Sequence, residues 1–391
     1  MRELIVALKE TIPLWMKVSI GFIMAFAITA ITIPTIVRVA RLKDLSAKPN
    51  GRTSHSSDIP NLGGMALFSA FLIAVLMIAG DSLTSDLFYV ICGLLILFFT
   101  GMKDDILIID PKKKLALQLL VAAIIAVMAD MKIDNLFEIF NIGSITYIPS
   151  VVLTIFIILL VINGFNLIDG IDGLAAGIGI LASTFFGMYF WSFHEVSYTI
   201  ICFSLAGSLS GFFIYNVFGS TNKIFLGDTG SLILGLTISV LMIKFLKPAN
   251  TGPGKLPQAS PALAAAVLIL PLFDTIRIFI IRIIQGKSPF AADHQHVHHL
   301  LLHLGLSHLK STLILLSFNI SMVVVCLFLS SIGDLPLILI IFGVAEVSAF
   351  LLRTLEHRRM LKIEMIKIQL RETIKASDPE PQPEEAEVMN V

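Results

Sequence analysis

The sequence has few charged residues and few cysteines. Only 14% of its 391 residues are Asp, Glu, Lys or Arg, while 56% are hydrophobic and the mean hydropathy is +0.90. Soluble domains carry about 25% charged residues and far fewer long apolar runs, so this composition predicts an integral membrane protein. The 28 basic and 28 acidic residues cancel. The net charge therefore identifies no partner, and we expect membrane lipid but no nucleic acid around the protein.

The cysteine pattern gives no disulfide framework. Cys92, Cys202 and Cys326 lie far apart, each within an apolar run. This is typical of small buried hydrophobic residues and offers no metal-binding spacing. The first apolar run, 18–39, is longer than a signal-peptide core and is flanked by arginines, so we expect a retained first helix and not a cleaved signal.

Long apolar runs predict an all-α, polytopic membrane protein. A membrane span needs about 17 to 25 apolar residues. Eleven segments qualify: 18–39, 63–80, 86–102, 115–130, 149–163, 174–192, 198–217, 230–246, 260–284, 312–331 and 335–353. The loops on the C-terminal side of the membrane then hold 18 Lys and Arg residues, against 6 in the opposite loops. The positive-inside rule places the N-terminus outside and the C-terminus in the cytoplasm.

The chain divides into three predicted parts. Residues 1–353 form the transmembrane domain, 354–375 a charged amphipathic cytoplasmic helix, and 376–391 an acidic, Pro-rich tail expected to be disordered. The polar clusters fall in the predicted cytoplasmic loops. A transporter typically places its polar site at the midplane between two related halves, and we find no such repeat in the sequence.

The most informative polar cluster reads N-G-F-N-L-I-D-G-I-D-G-L at 163–174, between two apolar segments. A carboxylate near mid-membrane costs about 2.5 kcal/mol or more, so this stretch marks the end of a helix. Its glycines favour irregular backbone, which at membrane depth lies beside protein or a water-filled cavity. An ordinary Asn/Asp/Gly turn between two spans is the alternative.

Two further clusters carry aspartates. Asp104 and Asp105 follow Lys103 at the end of a span, where paired carboxylates bind a divalent cation, act as a base, or simply belong to a solvated loop. Gly-Asp-Thr-Gly-Ser at 227–231 opens another span. A helix N-terminus favours an anion, and Asp228 is placed either to cap the helix or to bind a metal such as Mg²⁺.

The third cluster is a run of histidines after Gly-Lys-Ser-Pro-Phe at 286–290. Five of the nine histidines fall between 294 and 303. One interpretation is a transition-metal site, since imidazole binds Zn, Cu and Fe. The other is a phosphate site in which the histidines and Lys287 donate hydrogen bonds to a pyrophosphate. We favour the phosphate site because the other loops supply carboxylates and no further histidines.

In this order, the motifs resemble those of the polyprenyl-phosphate N-acetylhexosamine-1-phosphate transferase family. The resemblance spans about residues 15 to 353 and is carried by K-D-D at 103–105, the 163–174 cluster, F-L-G-D-T-G-S at 225–231, and G-K-S-P-F with H-x-H-x-H-H at 286–299. It is closer to the undecaprenyl-phosphate N-acetylglucosamine-1-phosphate transferases than to the phospho-N-acetylmuramoyl-pentapeptide transferases. The latter usually have three adjacent histidines, whereas this chain has only His298 and His299 together.

The resemblance implies an enzyme that transfers a sugar 1-phosphate from a UDP-N-acetylhexosamine to undecaprenyl phosphate and releases UMP. It implies Mg²⁺, with Mn²⁺ as a substitute, and a bacterial inner-membrane protein whose site faces the cytoplasm. Motif matching makes Asp228 and Asp105 the expected metal ligands. The expected catalytic residues are Asp104, Asp105, Asp169 and Asp172. The expected substrate-binding residues are Lys48, Asn163, Asn166, Lys287, His296, His298 and His299. A homodimer is compatible with these expectations.

Three alternatives remain at this point. The pentapeptide transferase of peptidoglycan synthesis belongs to the same class of reaction. A nucleotide-sugar or lipid transporter accounts for the spans, and a metal-dependent oxidoreductase accounts for the histidines. Within the transferase interpretation, Asp104 as a general base is a hypothesis, because a phosphate monoester has a second pKa of about 6 and the acceptor is already largely dianionic at neutral pH.

Overall fold

The computed structural model of the chain describes residues 12–43, 45, 59–107, 109–139, 142–247, 260–286 and 296–377. In this part of the chain the helices, numbered here in order, are α1 (Leu14–Leu42), α2 (Gly63–Ala79), α3 (Ser85–Leu107), α4 (Pro111–Ala123), α5 (Tyr147–Ile168), α6 (Leu174–Ser192), α7 (Val196–Phe218), α8 (Gly227–Leu246), α9 (Pro261–Val267), α10 (Ile269–Ile284), α11 (Val297–His303), α12 (His308–Phe328) and α13 (Asp334–Ser377). Short 3₁₀ turns follow α2 and α12, and a π-helical turn, Ile124–Met128, extends α4.

All eleven predicted spans coincide with helical segments, which confirms a helical, polytopic membrane protein. Among the described residues, eight helices have the length and hydropathy to cross a membrane, and the pair α9 and α10 would make a ninth. The helix α2, with 17 residues, and the helix α4, with 13, are shorter. The count of eleven spans and the orientation of the termini therefore stay predictions.

The helix α8 lies at the centre of the bundle. In its most apolar 18-residue window 94% of the residues are buried, and it packs against α2, α3, α5 and α6. Small residues let membrane helices approach closely. At Gly235 a side chain would overlap the backbone of Ile162 in α5. This close crossing fixes the position of α8 relative to the end of α5, where the Asn/Asp/Gly cluster begins.

The predicted span 260–284 is not a single straight helix. The helices α9 and α10 meet at Leu268 with a bend of 88°. Pro271 has no N–H to donate to the carbonyl of Val267, so the helical hydrogen-bond ladder is interrupted there. Asn319 of α12 donates to that carbonyl through Nδ2 at 3.0 Å. Beyond the bend, α10 packs against the end of α5.

A short β-hairpin interrupts the all-helical pattern. Its strands, β1 (Asn135–Ile139) and β2 (Ile142–Ser144), pair antiparallel within the predicted outer loop 131–148. The sequence did not predict it, because strands of five and three residues are too short to show a clear alternating pattern.

The last helix, α13, has 44 residues and runs through the predicted boundary at residue 353. At 1.5 Å per residue it is about 66 Å long, roughly twice the thickness of the hydrocarbon core. Residues 354–375 are thus helical and continuous with the last span, while their position on the membrane surface stays a prediction. Residues 376 and 377 end this helix, and the rest of the tail expected to be disordered lies outside the described residues.

Candidate active site

A cavity of about 880 Å³ lies where the predicted cytoplasmic ends of the helices meet. It is bounded by the end of α3, by α4, the end of α5, the start of α8, α10 and α11. The predicted site residues that line it are Asp104, Asn163, Asn166, Asp169, Asp228, His296, His298 and His299. Motifs that are separated by up to about 190 residues in sequence therefore share one cavity.

The start of α8 is held by Asp105 of α3. One carboxylate oxygen of Asp105 accepts the backbone N–H of Asp228 at 2.7 Å, and the other accepts the N–H and the hydroxyl of Thr229 at 3.0 and 2.5 Å. Free N–H groups at a helix N-terminus favour such a carboxylate. Asp105 caps α8 and does not belong to the cavity lining, and its expected metal binding stays a prediction.

Glycines allow the start of α8 to lie directly against its neighbours. A side chain at Gly64 of α2 would overlap the backbone of Gly230, and one at Gly101 of α3 would overlap that of Thr229. The N–H of Gly64 also donates to the carbonyl of Leu226 at 2.9 Å. The backbone that carries Asp228 is consequently fixed from two sides, and the Asp228 side chain faces the cavity.

A buried ammonium group lies between two of the predicted site carboxylates. Lys114 Nζ is 2.6 Å from Asp228 Oδ1 and 2.9 Å from Asp104 Oδ2. Burial alone would lower the pKa of Lys114, but the charge of Asp228 and the hydrogen bonds to both carboxylates outweigh it and raise the pKa. Lys114 is therefore charged at neutral pH. The second oxygen of Asp104, Oδ1, accepts the N–H of Ile109 at 2.6 Å.

Asn166 and Asn163 of α5 are the next polar groups of the cavity. Asn166 donates through Nδ2 to Asp228 Oδ1 at 2.5 Å and to Ser231 Oγ at 2.9 Å. Asn163 donates to Gln118 Oε1 of α4 at 3.0 Å. Gln118 and Lys114 both line the cavity from α4, four residues apart on one helical face.

The two aspartates of the D-G-I-D-G segment occupy different surroundings. Asp169 lines the cavity, and burial raises its pKa well above the ordinary value, with the nearby charge of Asp228 adding to the shift. Asp172 lies outside the cavity lining. Its carboxylate pairs with Lys223 Nζ at 2.7 Å, and its carbonyl accepts the hydroxyl of Thr312 at 2.8 Å. These contacts hold Asp172 outside the cavity lining, and its catalytic role stays a prediction.

The helix α11 carries the histidines, and its start is bound to α10. His296 precedes the helix, is 3% exposed, and its Nδ1 lies 2.8 Å from Oδ2 of the equally buried Asp274. Asp274 Oδ1 also accepts the N–H of Val297, at 3.3 Å, and an N–H of Arg277, at 3.2 Å. Both His296 and the beginning of α11 are thereby tied to the bent half of the ninth predicted span.

His298 packs directly on the D-G-I-D-G segment. It is 2% exposed, and its Nε2 has no hydrogen-bond partner among the described residues. A side chain at Gly170 would overlap this imidazole. Burial, together with the charge of His299, lowers the pKa of His298 to about 3. His298 therefore faces the cavity as a neutral imidazole at neutral pH.

Comparison with known proteins decides the family. The sequence model of glycosyl transferase family 4 matches residues 87–246. The probable undecaprenyl-phosphate N-acetylglucosaminyl 1-phosphate transferase of Bacillus subtilis (strain 168) is 30% identical over 300 residues, which cover 76% of this chain and 81% of the relative. The chain belongs to glycosyl transferase family 4.

Two further relatives show similar identity and coverage. The undecaprenyl-phosphate alpha-N-acetylglucosaminyl 1-phosphate transferase of Salmonella typhi is 30% identical over 284 residues, 72% of this chain and 75% of the relative. That of Escherichia coli (strain K12) is 28% identical over 293 residues, 74% of this chain and 78% of the relative. The resemblance inferred from the motifs is thereby confirmed.

Four residues at the site were not selected from the sequence motifs: Lys114, Gln118, Asp274 and Arg282. Lys114, Gln118 and Arg282 line the cavity, and Asp274 contacts His296. Lys114 could have been found from the sequence, because it is the last residue of a basic run close to Asp104 and Asp105. For Gln118 and Arg282 the only sequence signal was a polar residue within, or at the end of, an apolar segment. Lys48 and Lys287 lie outside the described residues.

Proposed function

We propose that the protein transfers N-acetylglucosamine 1-phosphate from UDP-N-acetylglucosamine to undecaprenyl phosphate and releases UMP. The names of its relatives give this donor sugar and this acceptor. The observation that carries the proposal is the convergence of carboxylates, an ammonium group and imidazoles on one cavity at the helix ends. Such a cavity suits two phosphate-bearing substrates, one of which is anchored in the membrane.

The cavity supplies what phosphoryl transfer requires. Phosphoryl transfer depends mainly on positioning and on stabilising charge, with little covalent chemistry for the protein. A volume of about 880 Å³ lies within the usual range for ligand pockets. Lys114 and the histidines present donors toward phosphate oxygens, and Asn163 and Gln118 add neutral polar groups suited to a nucleotide or sugar.

A divalent cation fits the acidic side of the cavity. Among the described residues, no group of three or more His, Cys, Asp or Glu side chains is arranged to hold a metal. Mg²⁺, however, usually takes only one or two protein carboxylates and completes its shell with substrate phosphates and water. Asp228 and Asp104 already flank a cation, the Lys114 ammonium. We propose that these two carboxylates hold Mg²⁺, which would neutralise pyrophosphate charge when bound.

The acceptor needs little help from a base. A phosphate monoester is already largely dianionic at neutral pH, because its second pKa is about 6. Asp104 accepts hydrogen bonds from Ile109 N–H and Lys114 Nζ. We therefore propose that Asp104 places Lys114 and the cation near the acceptor phosphate, and that proton removal is at most a secondary task.

The proposal also implies on which side of the membrane the cavity lies. The acceptor phosphate enters from the membrane and the nucleotide from the cytoplasm, so the cavity would face the cytoplasm of a bacterial inner membrane, in agreement with the positive-inside rule. The names of the relatives point to N-acetylglucosamine and not to the muramoyl pentapeptide, and no finding favours a transporter or an oxidoreductase.

A donor panel tests the proposal. Purified protein is given undecaprenyl phosphate, Mg²⁺ and, in separate reactions, UDP-N-acetylglucosamine, UDP-N-acetylgalactosamine, UDP-glucose or UDP-N-acetylmuramoyl pentapeptide, and UMP release is measured. We expect release with UDP-N-acetylglucosamine, loss of release in Asp228→Asn, and unchanged release in Asp130→Asn, a matched change at an exposed aspartate. Release with the muramoyl donor alone would replace this proposal by the peptidoglycan reaction.

A further inference from the structure

Asp274 is a carboxylate that the proposed reaction does not use. It is 3% exposed, lies in α10 beyond the 88° bend, and is not part of the cavity lining. A buried carboxylate within a membrane segment is costly and is normally paired, often for a functional reason. Arg277, one turn away on the same helix, provides a pairing partner. A local ion pair alone does not explain the contacts that Asp274 makes with α11.

The contacts of Asp274 converge on the first residues of the histidine helix. Its Oδ2 lies 2.8 Å from Nδ1 of His296, and its Oδ1 accepts the N–H of Val297 at 3.3 Å. With Nδ1 bound to Asp274, Nε2 is the ring nitrogen that remains for a ligand, and the imidazole of His296 lines the cavity. A carboxylate bound to one nitrogen of a histidine fixes both the tautomer and the ring orientation.

We propose that Asp274 is a positioning residue for His296. It accepts Nδ1–H and fixes the ring so that Nε2 faces the cavity; when Nε2 carries a proton, it donates to the diphosphate oxygen that gains negative charge as UMP leaves. A donor aimed at developing charge acts mainly on the rate of the chemical step. The bend at Leu268 is part of this arrangement, because it brings α10 against α5 and α11 at the cavity. This inference rests on the proposed function, since it assigns His296 to the diphosphate.

The other end of α11 provides a matched control. His303 Nδ1 lies 2.7 Å from Glu356 Oε1 of α13, so the same pair of groups recurs on the same short helix. There, however, the His303 side chain is 48% exposed and the Glu356 side chain 23%, and neither residue lines the cavity. Exposed pairs contribute little because water screens them. Glu356→Gln therefore removes a carboxylate–histidine contact that does not reach the cavity, whereas Asp274→Asn removes the contact that orients His296.

Steady-state kinetics of UMP release distinguish positioning of His296 from a purely structural role of Asp274. We expect Asp274→Asn to lower kcat about 10- to 100-fold, the usual effect of removing a partner that orients a functional histidine. The KM for UDP-N-acetylglucosamine should change by less than about twofold, since the lost interaction acts in the transition state. Glu356→Gln should keep kcat within about twofold of the wild-type value. In a His296→Gln background, Asp274→Asn should add almost nothing, because the two residues act as a unit.

Additive effects of the two substitutions, or a rise in KM at unchanged kcat, would overturn the proposal. A second measurement does not depend on turnover: ¹⁵N spectra of histidine-labelled protein, with the His296 signals identified by their loss in His296→Gln. We expect a protonated Nδ1 in the wild-type protein. A wild-type His296 protonated only at Nε2 would contradict the positioning role, even if Asp274→Asn failed to fold. If the wild-type enzyme released no UMP but showed the expected spectrum, the proposed function would fail and the His296–Asp274 pairing would stand.

Discussion

Lys114 places its ammonium group 2.6 Å from Asp228 Oδ1, although the two residues lie 114 positions apart in sequence. The same ammonium lies 2.9 Å from Asp104 Oδ2. One ammonium group thus pairs with two carboxylates from different helices. Because Mg²⁺ would occupy the same acidic region, Lys114 both holds the carboxylates in place and repels an incoming metal ion. Substrate phosphates would favour the simultaneous presence of both cations, since they supply additional negative charge.

Replacing Lys114 should separate these two effects. We expect Lys114→Met to lower kcat/KM about 10²- to 10³-fold, the usual loss for one donor to a developing charge. The same substitution should tighten the binding of Mn²⁺ to the substrate-free protein, because a nearby positive charge is removed. Mn²⁺ binding is measured by electron paramagnetic resonance, with Lys310→Met, an exposed lysine outside the cavity lining, as the control. Weaker Mn²⁺ binding in Lys114→Met would contradict a shared cation region.

The role of Asp105 can be tested by stability. Asp105 accepts three hydrogen bonds at the start of α8, so Asp105→Asn should lower the free energy of unfolding by about 1.5 to 3 kcal/mol. Thermal unfolding in detergent gives the measurement. Mn²⁺ affinity should remain close to the wild-type value, since Asp105 uses both oxygens for α8. A large loss of Mn²⁺ binding without a loss of stability would restore the metal role that the motif implied.

We expect that residue 170 must be glycine, because the imidazole of His298 lies directly against it. A methyl group at residue 170 would overlap His298, and overpacking of this kind typically costs about 1 to 3 kcal/mol. We expect Gly170→Ala to lower kcat about tenfold or more, because His298 is pushed away from its place in the cavity. The matched control is Gly80→Ala, where no atom lies within 4 Å of the added methyl group. Equal activity of the two variants would argue against a role for His298.

The pH dependence of Asp104→Asn tests the general-base hypothesis. The acceptor phosphate loses its second proton with a pKa of about 6. The rate should therefore rise with pH through that region and level off above about pH 7 in both the wild-type enzyme and the variant. We expect parallel profiles, with the variant lower because the Lys114 contact is weakened. A variant that regains activity only as hydroxide concentration increases would show that Asp104 removes a proton.

Much of this site was predictable from the sequence, because its chemistry is concentrated in short motifs at the ends of apolar segments. A polar residue at the end of a span lies at the same face of the membrane as the other span ends on that side. The positive-inside rule therefore groups Asp104, Asn166, Asp228 and His298 on one side of the membrane, and all four line the same cavity. The hydrophobic runs likewise predicted a helical segment at each of the eleven spans.

The remaining features depend on contacts that a motif does not encode. The bend at Leu268 requires Asn319 of another helix to satisfy the carbonyl freed by Pro271. Whether an aspartate in a family motif faces the cavity or a neighbouring helix depends on packing within one turn. Asp105 and Asp228 illustrate this, since the side chain of the former caps the helix on which the latter lies.

The most direct measurement of the central claim follows the β-phosphorus of the donor. Purified protein is incubated with undecaprenyl phosphate and UDP-N-acetylglucosamine labelled with ³²P at the β-position, and the lipid and aqueous phases are separated. Transfer of sugar 1-phosphate predicts that the label appears in the lipid, in equal amount to the UMP released, and that Asp228→Asn abolishes both. Label that leaves in UDP, with unlabelled phosphorus in the glycolipid, would show transfer of the sugar alone and would contradict the proposed reaction.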